Sequence, residues 1–173
     1  GGKIKLVAGT GDANTGGMVS ILSGVGTATT SGQIQIRTPD AGTTTKGVSG
    51  ALVFSSGIAS CGASGSISIG TGTAANGEGG DISVEIGDSN AESGGTMLLQ
   101  AGKTSADLNG GDVTIRSGAT TGTGGGNGGA MSLSAGQSAA VVGGAFSVSS
   151  GQGGTIGGKI KLVAGTGDAN TGG

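Results

Sequence analysis

Residues Gly2 to Gly17, GKIKLVAGTGDANTGG, recur residue for residue as Gly158 to Gly173, and with Gly1 and Gly157 the identity runs to seventeen positions. The copies lie 156 residues apart. Repetition of that length is not chance in any composition, so the chain is periodic and must solve the folding of one small unit many times over.

Starting each unit at the Gly before an alternating apolar pair divides the period into ten units, opening at Gly2, Gly17, Gly32, Gly50, Gly65, Gly80, Gly95, Gly111, Gly129 and Gly144, with an eleventh at Gly158. Unit lengths run from 14 to 18 residues and total 156. Two and four residues after the opening Gly stand Ile4/Leu6, Val19/Ile21, Ile34/Ile36, Leu52/Phe54, Ile67/Ile69, Ile82/Val84, Met97/Leu99, Val113/Ile115, Met131/Leu133 and Phe146/Val148. A period of two over apolar and β-branched residues predicts a strand with one buried face, these pairs forming its core ladder. The next residue of that face is small (Ala8, Ser23, Thr38, Ser56, Thr71, Ala101, Ser117, Ala135, Ser150) except at Ile86, and a Gly follows it everywhere but at Pro39. Intervening residues such as Lys3, Lys5, Gln33, Gln35, Asp81 and Ser83 are mostly polar and are expected to face outward.

The second half of each unit is polar and Gly-rich. Eleven residues after the opening Gly it often places a small residue: Ala13, Ala28, Cys61, Ala91, Ala106 or Ala140. The expectation is a return segment lying close on the buried strands, with Cys61 as a small buried hydrophobe rather than a nucleophile. The units at Gly32 and Gly111 are both 18 residues long and five units apart, so the period divides into two five-unit halves, 2–79 and 80–157, of 78 residues each. Residues 158–173 begin the next period, making 1–173 one continuous segment.

A single unit has too few apolar side chains to offset the entropy of ordering its backbone, so neighbouring units must share their edges. The predicted fold is therefore all-β: a parallel β-solenoid of about ten coils of 15–16 residues per period, uncapped and filament-forming. One coil per unit predicts a rise of ~48 Å per period at the ~4.8 Å strand spacing. An antiparallel meander is the rival, disfavoured because the same columns recur in the same sense.

The motifs GGKIKLVAG, GGDISVEIG and GGDVTIRSG and their Gly-Gly corners resemble the tandem Gly-rich β-solenoid repeats of very long secreted fibre and adhesive proteins of microbes. The resemblance spans the whole chain. It implies an extracellular structural role and carries over no functional residue.

Composition narrows the function classes. With no His, Trp or Tyr there is no histidine base, no Ser-His or Cys-His arrangement and no imidazole ligand, so no catalytic residue, no cofactor and no small-molecule substrate is expected. A net charge of −2 and only two aromatics, Phe54 and Phe146, argue against nucleic acid. No apolar run is long enough for a membrane span. Absence of an initiator Met and of a signal segment at Gly1 is what a piece of a longer protein would show. Lone Cys61 makes no disulfide framework.

The most site-like feature is acidic: Glu78, Asp81, Glu85, Asp88 and Glu92 could supply oxygens to a divalent cation, against the plainer reading of a solvated acidic face. The string GGGNGG at Gly124 to Gly129 carries no phosphate-loop meaning without a helix to follow it. Thr27 to Thr30 and Thr43 to Thr45 do not align as an ice-binding face would. The first three units carry Lys3, Lys5, Arg37 and Lys46 against Asp12 and Asp40, whereas Glu78 to Glu92 carries five acids and no base, bands that staggered fibres could oppose. The function expected is a structural repeat segment of an extracellular filament, non-enzymatic, whose partner is itself, end to end and side by side. The alternative is the stalk of an adhesin or surface-binding protein whose active tip lies outside this sequence.

Overall fold

The structure is a computed structural model; it describes residues 2–12, 15–42, 47–90, 92–122 and 124–165. Ala13, Ala91, Thr43 to Thr45 and Lys46 of the sequence reading lie outside them. The chain divides into two units, Gly1–Glu85 and Ile86–Gly173.

Among the described residues there is neither helix nor β-strand. This overturns the parallel β-solenoid and the cross-β stacking that the period of two predicts. Nor is there a core: no described residue is buried. The chain exposes 17189 Å², where a folded monomer of this mass would expose about 7,300 Å² and an unfolded one about 23,000 Å².

The sequence period is nevertheless visible in space. From each opening Gly to the small residue six positions later the backbone runs without a bend among the described residues. Every bend falls in the other half of a unit, at Asp12, Thr27–Thr29, Ser60–Gly62, Ala75–Gly77, Asn90 and Glu92, Ser105–Leu108, Gly124–Gly125, Ala139–Val141 and Gly154–Ile156. We call these halves the stretch and the loop. Since the stretch is constant, all variation in unit length sits in the loop.

The two ends of each loop come together. A Cβ built on Gly17 would stand 3.1 Å from the Ala8 Cβ, on Gly32 3.2 Å from that of Ser23, on Gly111 3.4 Å from that of Ala101, and on Gly158 3.3 Å from that of Ser150. The same juxtaposition holds at Gly50 with Thr38, Gly65 with Ser56, Gly80 with Thr71, Gly95 with Ile86, Gly129 with Ser117 and Gly144 with Ala135. Two columns of the repeat, the invariant opening Gly and the small third residue, are thus the two sides of one contact.

That contact explains why no solenoid forms. A parallel stack needs each loop to carry the chain back so that one opening Gly lies beside the previous one. Here the loop closes on itself, and each stretch starts beside the point where the last one ended. Adjacent stretches then share a single backbone hydrogen bond at the junction instead of the repeated bonds of a ladder. In six junctions that bond is present, from the N–H of Gly17, Gly32, Gly111, Gly129, Gly144 and Gly158 to the carbonyl oxygens of Gly9, Gly24, Gly102, Gly118, Gly136 and Gly151, at 2.8–2.9 Å.

Which junctions bond follows from the third residue. All six bonded junctions have Ala or Ser there. At Thr38, Thr71 and Ile86 a β-branched Cγ2 instead faces the opening Gly, at 3.3, 3.4 and 2.7 Å from the built Cβ, and wedges the backbones apart. Nothing in the structure explains why the Ser56 junction also lacks the bond.

Ile86→Ala should therefore let the Gly95 N–H reach the Gly87 carbonyl, and Ala101→Ile should break the Gly111 to Gly102 bond. A solvent-accessible hydrogen bond of about 1 kcal/mol changes amide exchange about fivefold, so NMR exchange should show Gly95 slowed and Gly111 accelerated by that order. Unchanged rates at both amides would refute the wedge.

Candidate functional site

The acidic candidates do not converge. Among the described residues no group of three or more His, Cys, Asp or Glu side chains could hold a metal ion. Glu78 and Asp81 flank the Gly80 junction, and Glu85 accepts a hydrogen bond from the Ser83 hydroxyl at 2.6 Å along its own stretch. Asp88 and Glu92 belong to the following loop, where the Glu92 N–H donates to the Ser89 hydroxyl oxygen at 3.1 Å. All five are exposed.

The column of small residues has a different place from the one the repeat suggests. Ala28, Cys61, Ala106 and Ala140 lie at the bends of their loops and are exposed. They are small because the chain turns there, not because a return segment packs on a strand. Hydroxyls just upstream hold two of these bends: Thr104 accepts from the Ala106 N–H at 3.1 Å, and Ser138 accepts from Ala140 at 3.4 Å and Val141 at 3.1 Å. Such side chain to backbone bonds favour turns over regular structure. A further tight turn joins the Leu108 N–H to the Ala106 carbonyl at 2.7 Å. Gly62, beside Cys61, has φ +125°, a conformation that a Cβ would strain.

What the chain presents to its surroundings is apolar. All twenty ladder residues are exposed: Ile4, Leu6, Val19, Ile21, Ile34, Ile36, Leu52, Phe54, Ile67, Ile69, Ile82, Val84, Met97, Leu99, Val113, Ile115, Met131, Leu133, Phe146 and Val148, from 48% at Met131 to 93% at Ile4. Between the two copies of the repeated sequence exposure varies in both directions: Ile160 is 50% exposed against 93% for Ile4, and Leu162 88% against 70% for Leu6. A monomeric protein rarely shows apolar surface on this scale unless something else covers it.

The described residues contain no pocket. No helix among them is long and apolar enough to cross a membrane. No protein-family model, curated protein or solved structure matches this chain. The junction was the feature missed by reading the sequence, although its signal, a small third residue and then, across the loop, an invariant opening Gly, stands in every unit but the one with Ile86.

Cys61 is a free, exposed thiol. An aromatic disulfide reagent should modify it in the native chain at close to the rate seen in urea, within about threefold, because no burial withholds it. A hundredfold slower native reaction, read as thiolate release, would show that the thiol is covered.

Proposed function

We propose that the chain is a structural repeat segment of an extracellular filament, non-enzymatic, whose units supply a regularly spaced apolar surface that neighbouring copies cover. The observation that carries this reading is the exposed ladder, twenty apolar residues at two fixed positions in ten successive units. Scattered exposed aliphatics need no explanation, but a periodic array is matched best by a surface with the same period, and another copy of the chain has it. The resemblance to secreted fibre and adhesive repeats supports the extracellular setting, and the absence of His supports a structural role over a catalytic one. Apolar burial between copies would contribute about 25 cal/mol per Å² covered.

Two tests apply. Electron microscopy and sedimentation of the purified chain should show assembly that rises with concentration and survives high salt, since apolar contact is not screened; a stable monomer at high concentration would overturn the reading. Ile69→Asp should reduce assembly at least tenfold more than the adjacent Ser68→Asp, because only the first puts a charge where the partner's apolar residues must lie. Equal effects in sedimentation would mean that the ladder is not the contact surface.

A further inference from the structure

We propose that Asn109, and with it Asn76, is a site of spontaneous succinimide formation, and that the rearranged linkage at Asn109 opens the junction at Gly111. The inference goes beyond the filament reading and does not depend on it, because the reaction needs no reagent but water.

Asn76 precedes Gly77, and Asn109 precedes Gly110. Both Asn side chains are exposed, Asn76 within the bend Ala75–Gly77 and Asn109 between the bend Ser105–Leu108 and the Gly111 junction. Ring closure uses the backbone nitrogen of the following residue as nucleophile, so that N–H has to be free. Among the described residues neither the Gly77 nor the Gly110 N–H donates a hydrogen bond, whereas the next amide along, that of Gly111, donates to the Gly102 carbonyl oxygen. The backbone must also swing onto the side chain, which a Gly permits better than any other residue. A Cβ built on Gly77 would meet nothing within 4 Å, and one on Gly110 would meet only the Gly102 carbonyl oxygen, at 3.7 Å. No packing restrains either loop, since no described residue is buried.

The Gly110 nitrogen bonds to the Asn109 Cγ, and the Cγ–Nδ2 bond breaks. The departing nitrogen takes up the Gly110 proton by way of water and leaves as ammonia. Water then adds to one of the two ring carbonyls. Attack at Cγ breaks its bond to the Gly110 nitrogen and gives Asp. Attack at the backbone carbonyl carbon of Asn109 breaks that carbon's bond instead, and the chain then runs through Cβ and Cγ as an isoaspartyl linkage. Each product carries a carboxylate where a neutral amide stood, a change of charge like that of any acidic modification.

Only the isoaspartyl product changes the backbone. It inserts one carbon, a bond of about 1.5 Å, into a loop whose ends meet at the Gly111 junction. That contact has little slack: the Gly111 N–H lies 2.9 Å from the Gly102 oxygen, and a Cβ built on Gly111 would stand 3.3 Å from the Gly102 nitrogen. Lengthening the chain two residues before such a contact releases the bond. Asn76 supplies the comparison, because the Gly80 junction that follows it has the Thr71 wedge and no backbone bond to lose.

The test is to age the full chain in warm, mildly alkaline buffer and follow each Asn by peptide mass spectrometry, with isoaspartyl methyltransferase labelling to tell isoaspartate from Asp. Asn109 and Asn76 should convert in the native chain within about threefold of their rates in urea, since local structure withholds neither. Gly110→Ala, which the space at Gly110 admits, should slow Asn109 about fivefold by stiffening the nucleophile and leave Asn76 unchanged. In the aged chain Gly111 amide exchange should be about fivefold faster, the loss of one exposed hydrogen bond, while that of Gly80 stays the same. Asn109→Asp supplies the charge without the extra carbon and should leave Gly111 at its original rate. Native conversion of Asn109 about tenfold or more slower than in urea would overturn the site. Conversion with unchanged Gly111 exchange, or equal acceleration in Asn109→Asp, would overturn the opening of the junction by the added carbon.

Discussion

Everything regular in this chain depends on one close approach, that of each opening Gly to the third residue of the stretch before it. It requires that one partner have no side chain and the other a small one, and the sequence meets both conditions at nearly every unit. Its energetic worth per junction is slight: one solvent-exposed backbone bond and a van der Waals contact. Its geometric consequence is large, because a loop whose ends touch cannot carry the chain anywhere else.

Ladder residues become intelligible in that light. In a solenoid the same pairs would stack on their counterparts one unit away and bury one another. Closing the loop removes that option within the chain and leaves each pair facing outward, half sheltered at the residue nearest the junction. The apolar periodicity is then a property of the surface.

The ten units, the boundary between stretch and loop, and the constancy of the stretch were all legible in the sequence, because Gly and alternating apolar residues mark them unambiguously. What misled was the destination of the loop. Alternation says that a stretch is flat and two-faced; it does not say what lies beside it. The expected buried column at Cys61 and Ala106 failed for the same reason: a small residue suits the inside of a packed coil and the apex of an exposed turn equally well. The acidic band was legible as composition, but carboxylates hold a cation only where the backbone brings three or more together, and among the described residues no such group is found.

The junction has a bearing on synthesis. Each junction joins the end of one stretch to the opening Gly of the next, so it needs nothing that the ribosome has yet to make. Closing a loop of about ten residues takes ~10–100 ns, whereas translation adds only ~5–20 residues per second. Each junction can therefore settle while the next unit is still untranslated, and the nascent chain would emerge as a series of finished links.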